Sequence, residues 1–368
     1  MAVDTAVTWP AGSTSTSMGR APYFTNVPIP FAQLPQPLQG MGTHMVYIDP
    51  SGELFDIAGP RAGTQGARVS KQFYGDQQWP FDQVLSNSPY IVGATIERQN
   101  IPERKFNMGI VIGHHNPPMT EMQYRMAESH WFAGQDETQD GWLGVYTRFS
   151  GWRWIPVRPD TSVKTPLTID PTAYGNNVSE WDVTWLAARP YFTKPALYRT
   201  FQSKLAGAPK PPSSNLLVGD LEELIGDTFY TGTLPLSNRG DLPSFASFYV
   251  SSPGQAILQD NQSTRMVPMP ITGADVGTYM VDTEPGHRTL TAANDPQDNA
   301  VFDLIRQSRI LDYFLSGIAN EGIPLQLQWN NRFIYMIPPK TEVQITVSHS
   351  DISGEITAVV PQRFKLSR

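Results

Sequence analysis

The sequence predicts a mainly β protein built from two packed units, and three observations carry that prediction. Turn formers are abundant: the 368 residues include 33 Pro and 29 Gly. Between those turns, short runs alternate apolar and polar residues, the pattern of half-buried strands. Charged residues make up only 17% of the chain, against roughly 25% in an ordinary soluble protein, and the Ala/Glu/Lys/Leu bias of helical bundles is missing. With 40% hydrophobic and 11% aromatic residues, packed cores are expected rather than wholesale disorder. The length suits two domains, or three at most.

Residues 1–43 read as an extended, Pro-rich arm. Pro10, Pro22, Pro28, Pro30, Pro35 and Pro37 block helix and central strand alike. Trp9, Tyr23, Phe24, Ile29 and Phe31 would serve no purpose in a solvated tail, so the arm is expected to lie on its own body or on a neighbour. From His44 the pattern turns to strand. MVYIDPSGELFDI reads as a hairpin around Asp49-Pro50-Ser51-Gly52, and YIVGATIERQNIPERKFNMGIVIG as a second β run bent at Asn100–Pro102. Thr120 then caps a helix through about Phe132, with Met119, Met122, Met126 and His130 at helical spacing. GWLGVYTRFSGWRWIPVRP reads as a hairpin around Phe149-Ser150-Gly151. SEWDVTWLAARPYF reads as a strand with Trp181, Val183, Trp185 and Ala187 on one face.

LAGAPKPPSSN (205–215) has linker composition, and the boundary is drawn over 205–221, between an N-terminal unit (44–204) and a C-terminal one (222–368). The second unit carries short strands separated by turns, the rhythm of an antiparallel sandwich. They include RMVPMPI, GTYMVDTEPGHRTL, LQLQWNNRFIYMIPP, TEVQITVSH and GEITAVVPQRFKL. At 297–319, Val301, Leu304, Ile305, Leu311, Leu315 and Ile318 follow three- and four-residue steps, which predicts an amphipathic helical insertion.

Composition excludes several classes. Without cysteine there is no disulfide, thiolate metal site or cysteine nucleophile. A net charge of −7 disfavours sequence-specific grip on nucleic acid. No apolar run approaches the roughly 20 residues of a membrane helix, and the N-terminus lacks a secretory pattern, so synthesis in a cytoplasm is expected. His44, His114, His115, His130, His287 and His349 show no metal-ligand spacing. His114-His115 reads as a polar turn, since adjacent residues of extended chain point to opposite faces. No nucleophile elbow or phosphate loop is present, and Glu222-Glu223 reads as a solvated face. No catalytic residue, cofactor or metal is expected. Asn238, Gly240 and Asp241 predict a tight connection that uses positive φ and an Asx-turn. Trp142, Tyr146, Phe149, Trp152 and Trp154 have two readings, sheet core or interface on one side and sugar stacking through Trp142, Trp152 and Trp154 on the other. Core is favoured because one face of a hairpin is buried by default. Arg153 and Arg158 are placed to pack on aromatic faces.

Three stretches together resemble one family. EWDVTWLAARPYFTKP (180–195) is similar to the last strand of the N-terminal domain of siphophage distal tail proteins. LPLSNRGDLPSFASFYVSSPG (234–254) is similar to the opening of their C-terminal domain. VDTEPGHRTLTAAND (281–295) and WNNRFIYMIPPKTEVQITVSH (329–349) resemble the end of that domain, where Ile-Pro-Pro precedes a closing strand. Details resemble the minor tail proteins of phages of actinobacterial hosts. The arm before residue 44 and the 297–319 helix depart from the family core. The resemblance implies an N-terminal β-sandwich or split barrel with one helix, assembled as a ring, usually a hexamer, and a C-terminal galectin-like sandwich. It implies a structural, non-enzymatic protein of the virion tail tip. Its partners would be itself, the tail tube protein, the tape-measure protein and the tail-tip hub and fibre proteins, around a lumen for DNA. A host-surface glycan-binding module is the alternative.

Overall fold

The computed structural model describes residues 42–87, 92–114, 118–161, 170–210, 228–274, 276–285, 289–292, 329 and 331–368. The arm through residue 41, His115, His287, Glu222-Glu223 and the 297–319 segment lie outside them. The described chain is mainly β, as expected.

The first hairpin forms as its sequence dictates. Strand β1 (His44–Ile48) pairs with β2 (Leu54–Ala58) across a turn in which Asp49 Oδ1 accepts from the Ser51 hydroxyl (2.7 Å) and the Glu53 N–H (2.7 Å). Gly52 supplies the positive φ of 93° that a side chain would disfavour. The first unit continues through β3 (Ala67–Tyr74), β4 (Asp82–Asn87), β5 (Ala94–Asn100), β6 (Arg104–Ile112), helix α1 (Glu121–Ala133), β7 (Gly141–Thr147), β8 (Gly151–Pro159) and β9 (Ser179–Ala187). Its strands hydrogen-bond in the order β2-β1-β7-β8-β9-β6-β3. Because β2 and β3 at the two ends also touch, the sheet curls into a split barrel. Its core holds Phe55, Phe106, Ile110, Leu143, Ile155, Trp185 and Trp131.

Strands β7 and β8 form the predicted hairpin, with Thr147 and Ser150 hydroxyls bonded at 2.7 Å in the turn. Strand β9 also buries the expected face: Val183, Trp185 and Ala187 are enclosed and Trp181 packs against the same core. The run expected across 90–112 resolves differently. Its first half, β5, leaves the barrel and, among the described residues, pairs only with β4.

The second unit comprises β11 (Tyr230–Asn238), β12 (Ser247–Ser251), β13 (Ala256–Gln259), β14 (Met266–Pro268), β15 (Thr278–Asp282), β16 (Leu290–Ala292), β17 (Thr341–His349) and β18 (Glu355–Phe364). One sheet runs β11-β17-β13-β14; the facing layer runs β16-β15-β12-β18 and continues into β10 (Phe192–Gln202). Leu234, Leu236, Leu258, Ile345 and Val347 from the first layer meet Phe248, Val250, Tyr279, Val281, Ile356 and Ala358 from the second. This is an antiparallel sandwich.

Two expectations need correction. LQLQWNNRFIYMIPP contributes no strand among its described residues. The N–H groups of Ile334 and Tyr335 bond instead to the buried Asp260 carboxylate (3.0 and 3.1 Å), so they have no ladder to join. Residues 192–202, where no strand was expected, form one of eleven residues. Pro195 falls where the pairing with β18 shifts between Lys194 and Leu197, an irregularity that tolerates a missing N–H.

Strands β10 and β18 belong to both cores. Phe192 and Phe364, register partners, sit in the barrel core; Phe201 and Ile356, also partners, sit in the sandwich core. Lys210 and Phe229 exchange both backbone hydrogen bonds (2.8 and 2.7 Å), so the chain leaves at 210 and returns beside the same point.

Candidate functional site

Among the described residues, no group of His, Asp and Glu is arranged to hold a metal, and no helix is long and apolar enough to cross a membrane. His44 Nε2 meets Asp56 Oδ1 at 2.9 Å. His130 pairs with Glu53. His349 Nδ1 accepts from the Asp351 N–H (3.0 Å) while Nε2 reaches the Ser251 carbonyl (3.0 Å). These histidines lie in separate places and each holds local structure.

The aromatic hairpin is packed. Trp152 and Trp154 stack with centroids 5.3 Å apart, and Tyr146 and His44 close on Trp152. Trp154 is fully buried and lies over Gly144, where a Cβ would sit 2.5 Å from its ring. Only Trp142 is partly open, while Phe149 at the turn is exposed. Arg153 does lie on an aromatic face, Phe364 at 4.2 Å, but from the last strand rather than from its own hairpin. Arg158 pairs with Asp140 instead (2.7 Å).

The Asn238–Asp241 connection is tight for a different reason from the one expected. Neither Asn238 nor Gly240 has positive φ. Asn238 makes the Asx-turn itself, its Oδ1 accepting from the Gly240 N–H (3.0 Å). Its Nδ2 donates to the carbonyls of Leu242 (2.9 Å) and Ile337 (3.1 Å). Gly240 is required because a Cβ there would collide with the Arg363 backbone.

Among the exposed apolar surfaces of the described residues, two lie on the barrel unit, and neither was legible as such. Among the described residues, the β4–β5 hairpin pairs with no other strand. Every residue of β5 is exposed. Leu85 and Ile96 are register partners and stay 53% and 58% exposed, flanked by the exposed Phe81 and Ile101. No alternation in DQVLSN or ATIERQN marks a buried face, and that lack was the available signal.

The second surface is helix α1. Its start is as predicted: the Thr120 hydroxyl accepts from the Gln123 N–H, and the Gln123 side chain answers from the Thr120 N–H, a complete capping box. Its buried face is not the one predicted. Tyr124, Ala127 and Trp131 point inward, with Trp131 held by Tyr47 and Phe55 at 5.7 and 5.3 Å. Burial pushes the Tyr124 phenol up to about 12; its hydroxyl donates to Glu128 (2.7 Å) and shares a 2.7 Å bond with Ser179. Met122 and Met126 face outward at 74% and 63% exposure. With Met119, Gln65 and Gly66 they line an open groove of about 1060 Å³. Gly66 has a φ of +87°, and its Cβ would lie 2.5 Å from that of Ala127, so the loop rests directly on the helix.

The described molecule is thus a mainly β protein of two cores, with exposed apolar elements on its barrel side. No family model and no curated protein sequence matches the chain. Among solved structures it is similar to the SPP1 Dit (gp 19.1) protein, described as a paradigm of the hub adsorption apparatus of phages infecting Gram-positive hosts. That likeness covers 88% of this chain and 99% of that one, at 10% identity and a TM-score of 0.48. It is also similar to the phage P2 baseplate in its activated conformation with calcium (88% and 99% covered, 7% identity, TM-score 0.45) and with strontium (89% and 99%, 8%, 0.46).

Proposed function

We propose that this chain is a structural, non-enzymatic component of a phage tail tip. It forms a ring, a hexamer by the family resemblance, that joins the tail tube to the hub and fibres around a lumen for DNA. The single observation that carries this reading is the β4–β5 hairpin. An isolated two-stranded hairpin is marginal in water, and this one holds Leu85 and Ile96 away from its own body. In a ring of heterologous contacts each hairpin meets the next copy. The ordered motifs at 180–195, 234–254, 281–295 and 329–349 supply the tail-tip assignment. The net charge of −7 suits a lumen that must not hold DNA. The sandwich is the galectin-like unit, projecting outward. The arm, through Trp9, Tyr23, Phe24, Ile29 and Phe31, orders on a neighbouring copy.

Light scattering of the full chain, with negative-stain imaging of tails, tests the reading. A closed oligomer and a ring at the tail tip are expected. A species that stays monomeric at high concentration and is missing from tails overturns it.

A further inference from the structure

Helix α1 presents Met122 and Met126 to solvent, with Met119, just before its N-cap, partly buried against the barrel core beside them, and a helix in a folded body normally turns its apolar stripe inward. Here the inward places are taken by Tyr124, Ala127 and Trp131. The methionines instead form one wall of the open groove, and the loop containing Gln65 and Gly66 forms the other. Thioether side chains adapt to the shape of what they meet and favour aromatic rings. Charge narrows the occupant further. Arg125 is held by Glu128 (3.0 Å) and Asp170 (2.7 Å), and His130 by Glu53. The Arg125 guanidinium, which lines the groove, is thus already engaged within the chain, and the exposed methionine wall suits an apolar segment.

The chain carries such a segment. Residues 22–31, Pro-Tyr-Phe-Thr-Asn-Val-Pro-Ile-Pro-Phe, contain no charge, three aromatic rings and three prolines. We propose that the groove between α1 and the Gln65–Gly66 loop receives this segment from the arm of a neighbouring copy. The inference rests on the ring reading above and gives the arm its acceptor. Length fits: α1 spans roughly 20 Å at 1.5 Å per residue, which six or seven residues cover at about 3.1 Å each in polyproline geometry. Proline also lowers the ordering cost of binding. The exit point fits as well. The described chain starts at Gly42, and His44 lies against Gly59 and Asp56. The Asp56 N–H donates to Gln65 of the groove wall (2.9 Å). Ten residues separate Phe31 from Gly42, a reach of up to about 35 Å. Within the ring reading, that reach serves the groove of the next copy.

The test places p-benzoylphenylalanine at position 126 of the full chain and mixes isotopically light and heavy copies. After irradiation, peptides are read by mass spectrometry while oligomers are imaged in parallel. Crosslinks from position 126 to residues 22–31 of the other isotope are expected, reduced at least ten-fold by joint Phe24→Asp and Phe31→Asp substitution. Rings without that crosslink overturn the groove assignment and leave the ring reading standing. The interchain crosslink in open oligomers that never close keeps the assignment and overturns the ring. Crosslinks confined to one isotope, or directed to the 82–100 hairpin of a neighbour, overturn the assignment by naming a different occupant.

Discussion

Arg104 is 1% exposed, and its surroundings show what a buried cation does in this molecule. Its Nη2 donates to the carbonyls of Gln78 (2.6 Å) and Lys365 (2.7 Å), and the guanidinium lies over Phe192 at 5.2 Å. Burial pulls its pKa down to about 10, with Asp76 opposing. The last residues of the chain are fastened here, since Arg153 donates to Leu366 (2.8 Å) and Ser367 reaches Asp76. Replacing Arg104 by Leu strands two carbonyls, each losing a charge-assisted bond worth about 1.5 kcal/mol or more. A loss of about 3 kcal/mol in urea unfolding is expected, with faster amide exchange over 365–368. Asp260 tests the opposite charge. Burial raises its carboxyl above the ordinary value against the pull of the Tyr335 and Ile334 N–H groups and of Arg265. A carboxyl raised on folding binds its proton more tightly in the folded state. Its contribution is therefore full below the unfolded pKa and is lost as pH rises through the folded one. Asp260→Asn removes that slope, so its stability relative to the parent should improve as pH rises above the ordinary carboxyl value of about 4. A difference constant across urea midpoints at several pH values would contradict the shift. Neither residue stood out in the sequence, because their partners lie as far away as Lys365 and Ile334.

At the scale of elements, local chemistry was legible and the choice of face was not. Thr120 and Gln123 define the start of α1 whatever surrounds it, and Thr120→Ala should cost about 1 kcal/mol by chemical denaturation. Which stripe turns inward depends on the sheet beneath. Met119, Met122 and Met126 have helical spacing, but so do Tyr124, Ala127 and Trp131, and the pocket of Tyr47, Phe55 and Trp185 takes the latter. The hairpin hides for the converse reason: β4 and β5 have no buried face, so periodicity had nothing to report. That exposure makes a clean test. Leu85→Asp with Ile96→Asp should leave stability within about 0.5 kcal/mol, as surface changes do, while abolishing assembly in light scattering. An equal loss of thermal stability in the monomer would show that the hairpin supports its own fold.

Over the whole molecule, the composition changes after residue 204, yet strand β10 before that point pairs along its length with β18, whose residues lie more than 150 positions later. No local pattern encodes such a pairing, and Pro195 argues against a strand at all. The consequence is mechanical. Phe201 and Ile356 fill the sandwich core while Phe192 and Phe364, on the same two strands, fill the barrel core, so neither core can lose the pair and remain intact. The barrel holds Trp131, Trp154 and Trp185, whereas Trp329 reports on the sandwich. In a Trp329→Phe background, tryptophan fluorescence therefore follows the barrel side. Phe201→Ala opens a cavity only in the sandwich, at a cost of about 3–5 kcal/mol. If the shared strands couple the cores, the fluorescence transition moves by that amount although no remaining tryptophan among the described residues belongs to the sandwich core. If it stays in place while far-ultraviolet circular dichroism splits into two steps, the strands are a seam along which the units separate.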